Sequence, residues 1–303
     1  MLWVILLGQV LMWTLYGNIA TFYPPYTEKN HKSVSSTMVG VVLAMFECSI
    51  LIGSPLISIT MQKVGRKNYI ILGNLLIVLS TVGFGLTKYI DNDLAFFIAS
   101  VSFRMVQGFG DAACSTSVFS LIGSAFPDDR DLYFGYLESA VGIGLMAGPV
   151  IGQTIFNLVD YEKTFYCSAL LVSIPLVLQI FCIPSYLNRG GDDDEEGGSV
   201  EGANGKKITF WTILTNKRAM LCAVSSIFAM IFMLFMDTIL SNYLIFDMHV
   251  DEAYVGYFFA LPCLIYSISC PLVGYMTKFF PRPFLTQLAF LITFVGMLMF
   301  GPS

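Results

Sequence analysis

The chain is patterned in long apolar blocks separated by short polar breaks. Nine blocks have the length, about 20 residues, that a helix needs to cross a bilayer. They run roughly over 2–23, 37–60, 69–88, 94–119, 132–155, 163–184, 219–242, 252–276 and 283–301. The runs are continuous and do not alternate, which excludes the strands of a membrane β-barrel. The expected fold class is therefore an all-α polytopic membrane protein. The first block is not a cleaved signal peptide, because it has no basic leader and runs too long. Its Gln9, Thr14, Gly17 and Asn18 suit a helix packed in a bundle.

Composition supports this reading. Of 303 residues, 56% are hydrophobic and 12% charged, against a charged fraction of about 25% in a soluble domain. A cytosolic enzyme, a nucleic-acid binder and a disordered chain are excluded. The net charge of −5 matches the five acids of the run 192–196, so it describes one loop and implies no charged partner. The seven cysteines lie in apolar stretches without CxxC spacing, so free, buried thiols are expected, with neither disulfides nor a metal site.

Lys and Arg set the orientation. Eleven bases fall on one side (Lys63, Arg66, Lys67, Arg130, Arg189, Lys206, Lys207, Lys217, Arg218, Lys278, Arg282) and four on the other (Lys29, Lys32, Lys88, Lys163). The amino terminus is expected outside or in a lumen. The long loop 185–218, rich in glycine and acid, reads as a solvated cytosolic linker. It divides an N-terminal six-helix half, 1–184, from an incomplete three-helix half, 219–303. A weak repeat crosses it. Val39-Gly40 and Pro55-Leu56 are echoed by Val255-Gly256 and Pro271-Leu272 at the same interval.

The loop after span 2 carries Lys63, Gly65, Arg66 and Lys67. Span 4 carries Arg104 and Gln107 followed by Gly108, and span 5 carries Gly135, Gly144, Gly148, Pro149 and Gly152. Glycines at four-residue intervals let a neighbouring helix approach closely, and a proline can kink the helix. With these motifs the chain resembles the major facilitator superfamily, in particular its proton-coupled drug antiporters. Gln62 stands where the family's loop motif has an acid. Finer stretches resemble the vesicular amine transporter family, nearest its polyamine branch. They are 125–127, 135–139, Phe235-Met236-Asp237, Tyr254-Val255-Gly256 and Ser269-Cys270-Pro271-Leu272. The resemblance implies two six-helix halves, a small organic cation and protons as the transported species, and an intracellular vesicle or organelle membrane.

Five ionisable residues fall inside spans: Glu47, Arg104, Asp111, Glu138 and Asp237. A central charge costs about 2.5–3.5 kcal/mol on insertion scales, so such a set is expected to line a wet cavity or to be paired. Four acids to one base suit a cation or exchangeable protons. Each residue also has a plain structural reading. Arg104 is a structural or gating ion pair or part of proton coupling, and Glu47 is its partner or a substrate or proton group. Asp111 is held by the hydroxyls of Ser115, Thr116 and Ser117 or is functional. Glu138 and Asp237 have the fewest innocent explanations.

Trp13, Tyr16, Tyr23, Tyr243, Tyr257 and Tyr266 offer faces to an ammonium group or pack ordinarily. His31 and His249 are expected in solvated outer loops. No nucleophile with a base, phosphate loop or metal cluster appears, so an enzyme is not expected and no cofactor is called for. The expected function is proton-coupled antiport of amines or polyamines by alternating access. If the chain is complete as it stands, the alternative is a non-transporting membrane subunit that retains the motifs and has membrane-complex partners.

Overall fold

The computed structural model describes residues 1–188, 215–242, 248 and 252–299, with the backbone alone at 20–22, 153, 157, 218, 230, 232–242 and 252–260. The described residues form nine long helices and no strand. They are α1 (Leu2–Asn30), α2 (Ser36–Val64), α3 (Arg66–Leu86), α4 (Asp93–Ala125), α5 (Arg130–Leu158), α6 (Tyr161–Cys182), α7 (Lys217–Asn242), α8 (Glu252–Met276) and α9 (Arg282–Met299). The chain divides into two compact units, Met1–Arg189 with Cys263–Ser303, and Gly190–Pro262. The second contains α7 and the first turns of α8. Linker residues 189–214, Tyr243 and His249 lie outside the described residues.

Over the described residues, six segments are long and apolar enough to cross a bilayer: those of α1, α2, α3, α5, α6 and α9. Helix α4 is longer than any of them, but it carries Arg104, Gln107, Asp111 and several serines on its buried face. Its polar content is hidden by neighbours and not offered to lipid.

Helix ends follow local chemistry. Ser35 Oγ accepts the Met38 N–H at the start of α2, and Asn92 Oδ1 accepts the Ala95 N–H at the start of α4. Gly65 turns α2 into α3 at φ +96°, a conformation that favours glycine. The apolar block of α1 stops at residue 23, yet the helix runs through Pro24 and Pro25 to Asn30. Thr27 Oγ1 donates to the Tyr23 carbonyl and the His31 N–H to the Thr27 carbonyl, which ties the last turns together.

In the first unit α1 packs chiefly on α5 and α6, α4 on α2 and α3, and α3 on α6. These pairings interchange when the first three helices are matched to the second three. That is the signature of a nested three-plus-three repeat. The crossings are made at small residues. A Cβ on Gly148 would come within 2.7 Å of the Thr14 carbonyl and 3.1 Å of the Gly17 Cα, and one on Gly144 within 2.5 Å of the Val10 carbonyl. A Cβ on Gly110 would lie 2.8 Å from the Gly73 carbonyl, so α3 and α4 meet in the same way.

At the end bearing the α3–α4 and α5–α6 turns, Lys88 Nζ lies 2.5 Å from Asp160 Oδ2 and 3.7 Å from Glu162 Oε2. Asp160 adopts φ 142°, a region that costs a non-glycine residue about 1–3 kcal/mol. Its Oδ1 accepts the Tyr161 N–H. The hydrogen bonds from Lys88 and Tyr161 hold its carboxyl below the usual carboxylate range, and Asp160 in turn raises Lys88.

Two outcomes follow. Gly148→Ala should destabilise the detergent-solubilised protein by about 1–3 kcal/mol through overpacking. Gly40→Ala, with nothing within 4 Å of the new methyl, should be neutral or slightly stabilising. Equal melting temperatures for the two variants would contradict the close α1–α5 crossing. The second outcome concerns pH. A carboxylate depressed in the folded state stabilises above its unfolded value, and the contribution is lost as pH falls through its folded value. Asp160→Asn should therefore flatten the loss of melting temperature below about pH 4, as a pH series on both proteins will show.

Candidate functional site

Helix α4 places Ser100, Arg104, Gln107 and Asp111 on one buried face, at helical spacing. Arg104 is 1% exposed. Its Nη1 donates to Gln107 Oε1 at 2.8 Å, and Gln107 Nε2 donates to Thr81 Oγ1 of α3 at 3.1 Å. The guanidinium carbon lies 4.8 Å from the Phe46 ring centre and 5.9 Å from that of Tyr16, within cation–π range. Arg104 Nε is buried without a hydrogen-bond partner.

This corrects the expected ion pair. Among the described residues no carboxylate comes within ion-pair distance of Arg104. Glu47 follows Phe46 on α2 but lies on the exposed side of that helix. The aromatic faces of α1 and α2 and the amide of Gln107 take the position a carboxylate was expected to fill.

Asp111 is 3% exposed, and its Oδ1 is buried without a partner. The Ser115 hydroxyl, one turn on, donates to the Asp111 backbone carbonyl instead. A serine four residues along a helix points back to the main chain of the turn before it, so the expected hydroxyl cradle does not form there. Nearby polar groups are used elsewhere. Asn74 Nδ2 donates to Gln179 Oε1 at 2.8 Å, and Asn18 Nδ2 to Ser168 Oγ at 3.0 Å.

Glu138 belongs to a different place. It is half-buried on α5 and accepts a 2.6 Å hydrogen bond from the Tyr266 hydroxyl of α8. The helices are close here. A Cβ on Gly135 would lie 2.6 Å from the Cys270 carbonyl, and one on Gly142 would be 2.8 Å from the Tyr266 ring. Gly135 therefore does not share a face with Gly144, Gly148 and Gly152. Nine residues separate it from Gly144, which turns it about 180° around the helix. With Gly142 it serves α8, while the other three serve α1, and Pro149 abuts Gly17. The site residue missed in sequence was Gly142, detectable as the seven-residue interval from Gly135. Asp237 lies on α7, and its side chain falls outside the described residues.

In the loop motif, Arg66 Nε and Nη1 donate to Ser120 and Ser124 of α4, both at 3.0 Å. Lys63 is exposed and Lys67 half-buried. At the same end Lys278 Nζ lies 2.6 Å from Asp129, and Arg282 Nε 2.9 Å from Asp131. At the other end His31 is not solvated. It is 5% exposed, stacks on Phe96 at 3.8 Å, and its Nδ1 lies 2.8 Å from Asp93 Oδ1. The helical extension past Pro25 carries it back over α4. All seven cysteines are free, but Cys48, Cys182 and Cys222 face outward and are not buried as expected. Among the described residues no metal cluster forms.

A bundle of apolar helices whose polar row is turned inward is an integral, multi-pass membrane protein. The Major Facilitator Superfamily profile matches residues 5–303, and the chain belongs to that superfamily, whose members are transporters and not enzymes. It is 27% identical to the mouse MFS-type transporter SLC18B1 over 294 residues, covering 95% of this chain and 60% of the relative. It is 24% identical to the human synaptic vesicular amine transporter over 150 residues, covering 49% and 28%. With Multidrug resistance protein 2 of Bacillus subtilis it shares 27% over 189 residues, covering 62% and 45%. The chain thus spans about 60% of the length of the first of these relatives.

The Arg104 geometry is open to test by a double-mutant cycle. Arg104→Lys keeps the charge but loses the planar fork that serves Gln107 and the aromatic faces. It should lower the melting temperature, and Gln107→Leu should cost less in that background than alone, with a coupling of about 1–3 kcal/mol. Strict additivity would show that the two side chains do not act together.

Proposed function

We propose that this protein is a proton-coupled antiporter of organic cations, amines or polyamines, working by alternating access in an intracellular vesicle or organelle membrane with the linker in the cytosol. One observation carries the reading. The guanidinium of Arg104 is engaged by Gln107 and two aromatic rings. Asp111 and Glu138 have no cation within ion-pair distance among the described residues, and Glu47 meets Arg104 only at longer range. Carboxylates within spans that no protein cation neutralises are compensated by protons or by a cationic cargo. Similarity to a vesicular amine transporter and to multidrug resistance proteins supports the same class of cargo.

The roles divide by burial. Asp111, enclosed and without a donor at Oδ1, suits a proton, which needs no space. Glu138, half-buried between two helices, is reachable by a larger cation. Asp237 is assigned by sequence as a further cation anchor in the second half. If a carboxylate holds either a proton or an ammonium group but not both, an opposing proton gradient drives the amine uphill. Arg104 keeps α1, α2 and α4 in register around the proton group.

The test is uptake of spermidine and serotonin by the full-length protein reconstituted into vesicles with an acid interior. Uptake should follow the imposed gradient and collapse with a protonophore. Glu138→Gln should lose proton-driven uptake at least tenfold. Asp237→Asn should weaken amine binding, since an amide offers a dipole where a charge is needed. Both variants should still insert, because removing a membrane charge lowers the insertion cost. Amine uptake indifferent to the gradient would exclude proton coupling, and unchanged amine affinity in Asp237→Asn would remove that residue as the anchor.

A further inference from the structure

The Glu138–Tyr266 pair has a chemistry that distinguishes between amines. The Tyr266 hydroxyl donates its one proton to Glu138 Oε2 at 2.6 Å. That fixes the orientation of the carboxylate and leaves as acceptors Glu138 Oε1 and a lone pair of the phenol oxygen, which also meets the Cys270 thiol. Both side chains are half-buried, so the pair is neither sealed in the core nor freely hydrated. The close approach of α5 and α8 at Gly135 and Gly142 holds the two residues at this spacing. No lysine, arginine or histidine pairs with Glu138 among the described residues.

We infer that Glu138 and Tyr266 form a two-acceptor cradle for a protonated primary or secondary amine, and that Tyr266 is the residue that selects such amines over quaternary ammonium compounds. The inference rests on the antiporter reading above and names the cargo chemistry of one of its sites. An ammonium with two N–H groups donates one to the carboxylate and one to the phenol oxygen. The phenol keeps its proton and its hydrogen bond to Glu138, while the ammonium takes the other carboxylate oxygen in place of a transported proton. A quaternary nitrogen has charge but no N–H, leaves both acceptors unpaired, and loses the charge-assisted bonds that reward the correct cargo. The ordinary reading of Tyr266, a packing aromatic in α8, accounts for its ring but not for a hydroxyl aimed at a membrane carboxylate.

The experiment compares binding of spermidine and of its fully N-methylated, quaternary analogue to the purified full-length protein. In the wild type, spermidine should bind at least tenfold tighter. In Tyr266→Phe the ratio should fall about tenfold, mainly through weaker spermidine binding, because one charge-assisted acceptor is gone. A second measurement covers the case in which that variant fails to fold. Cys270, half-buried and one turn beyond Tyr266, should be alkylated more slowly in the wild type when spermidine is present, as read by peptide mass spectrometry. The analogue should protect it less. If Tyr266→Phe binds both ligands with the wild-type ratio, or if spermidine leaves Cys270 unprotected, the cradle is wrong while amine binding and antiport stand. If the wild type binds neither ligand, the antiporter reading fails and this inference with it.

Discussion

The approach of α5 to its two neighbours is the contact from which the rest of the bundle takes its geometry. Lipid tails are as apolar as leucine, so helices in a bilayer gain little from hiding hydrophobic surface from each other and must gain from close packing. Helix α5 does this on both sides. Gly144, Gly148 and Gly152 lie against α1, while Gly135 and Gly142 lie against α8, and a methyl group at Gly135, Gly144 or Gly148 would strike main-chain atoms of the neighbour. Glu138 falls between the two glycines of the α8 side. Its hydrogen bond to Tyr266 is a consequence of that backbone spacing as much as of the side chains themselves.

The second constraint is burial, because an unmet polar group costs more in the bundle's interior than at a surface. The structure answers with short interhelical links: Arg104 to Gln107 to Thr81, Asn74 to Gln179, and Asn18 to Ser168. Each ties two or more helices together at mid-chain positions. Asp111 is left outside these links, with a buried oxygen that nothing donates to. Asn74 Oδ1 and Arg104 Nε are also buried without a hydrogen-bond partner, and Asp111 differs from them in that its proton can be exchanged.

What was legible in the sequence is what a helix shows in one dimension. Each of the nine apolar blocks became a helix, because length and continuous apolarity are enough to specify one. The motif glycines were recognisable too, since Gly65 has the positive φ its turn requires. Partners were not legible, because they depend on the rotation and depth of helices far apart in the chain. Glu138 and Tyr266 are 128 positions apart. Arg104 was expected to meet an acid and met Phe46 and Gln107. Even along one helix a single motif serves two faces, as with Gly135, whose nine-residue offset from Gly144 carries it to the opposite side. His31 failed for a related reason. A Pro-Pro step reads as the end of a helix, but the helix continued and buried a residue that a loop would have exposed.

The ends of the α5–α8 contact differ in kind from its middle, and that difference bears on the proposed cycle. At the end bearing the α4–α5 and α8–α9 turns, Lys278 meets Asp129 and Arg282 meets Asp131, all with side chains that solvent or headgroups can reach. Hydrogen bonding to Asp129 raises Lys278 above its ordinary value, so the lysine stays charged across the physiological range. Exposed ion pairs of this type are worth about 0–1 kcal/mol each. Two of them can hold the end closed but cannot lock it. Alternating access requires that the energy difference between closed and open ends stay within the few kcal/mol that differential cargo binding supplies. A buried ion pair at the same position would exceed that range when broken, since each uncompensated charge costs several kcal/mol. The α1–α5 face carries no such ion pair among the described residues, while glycine meets main chain on both faces of α5. In the proposed cycle, the face of α5 toward α8, with exposed ion pairs at its end and Glu138 at its middle, is the one suited to break and re-form.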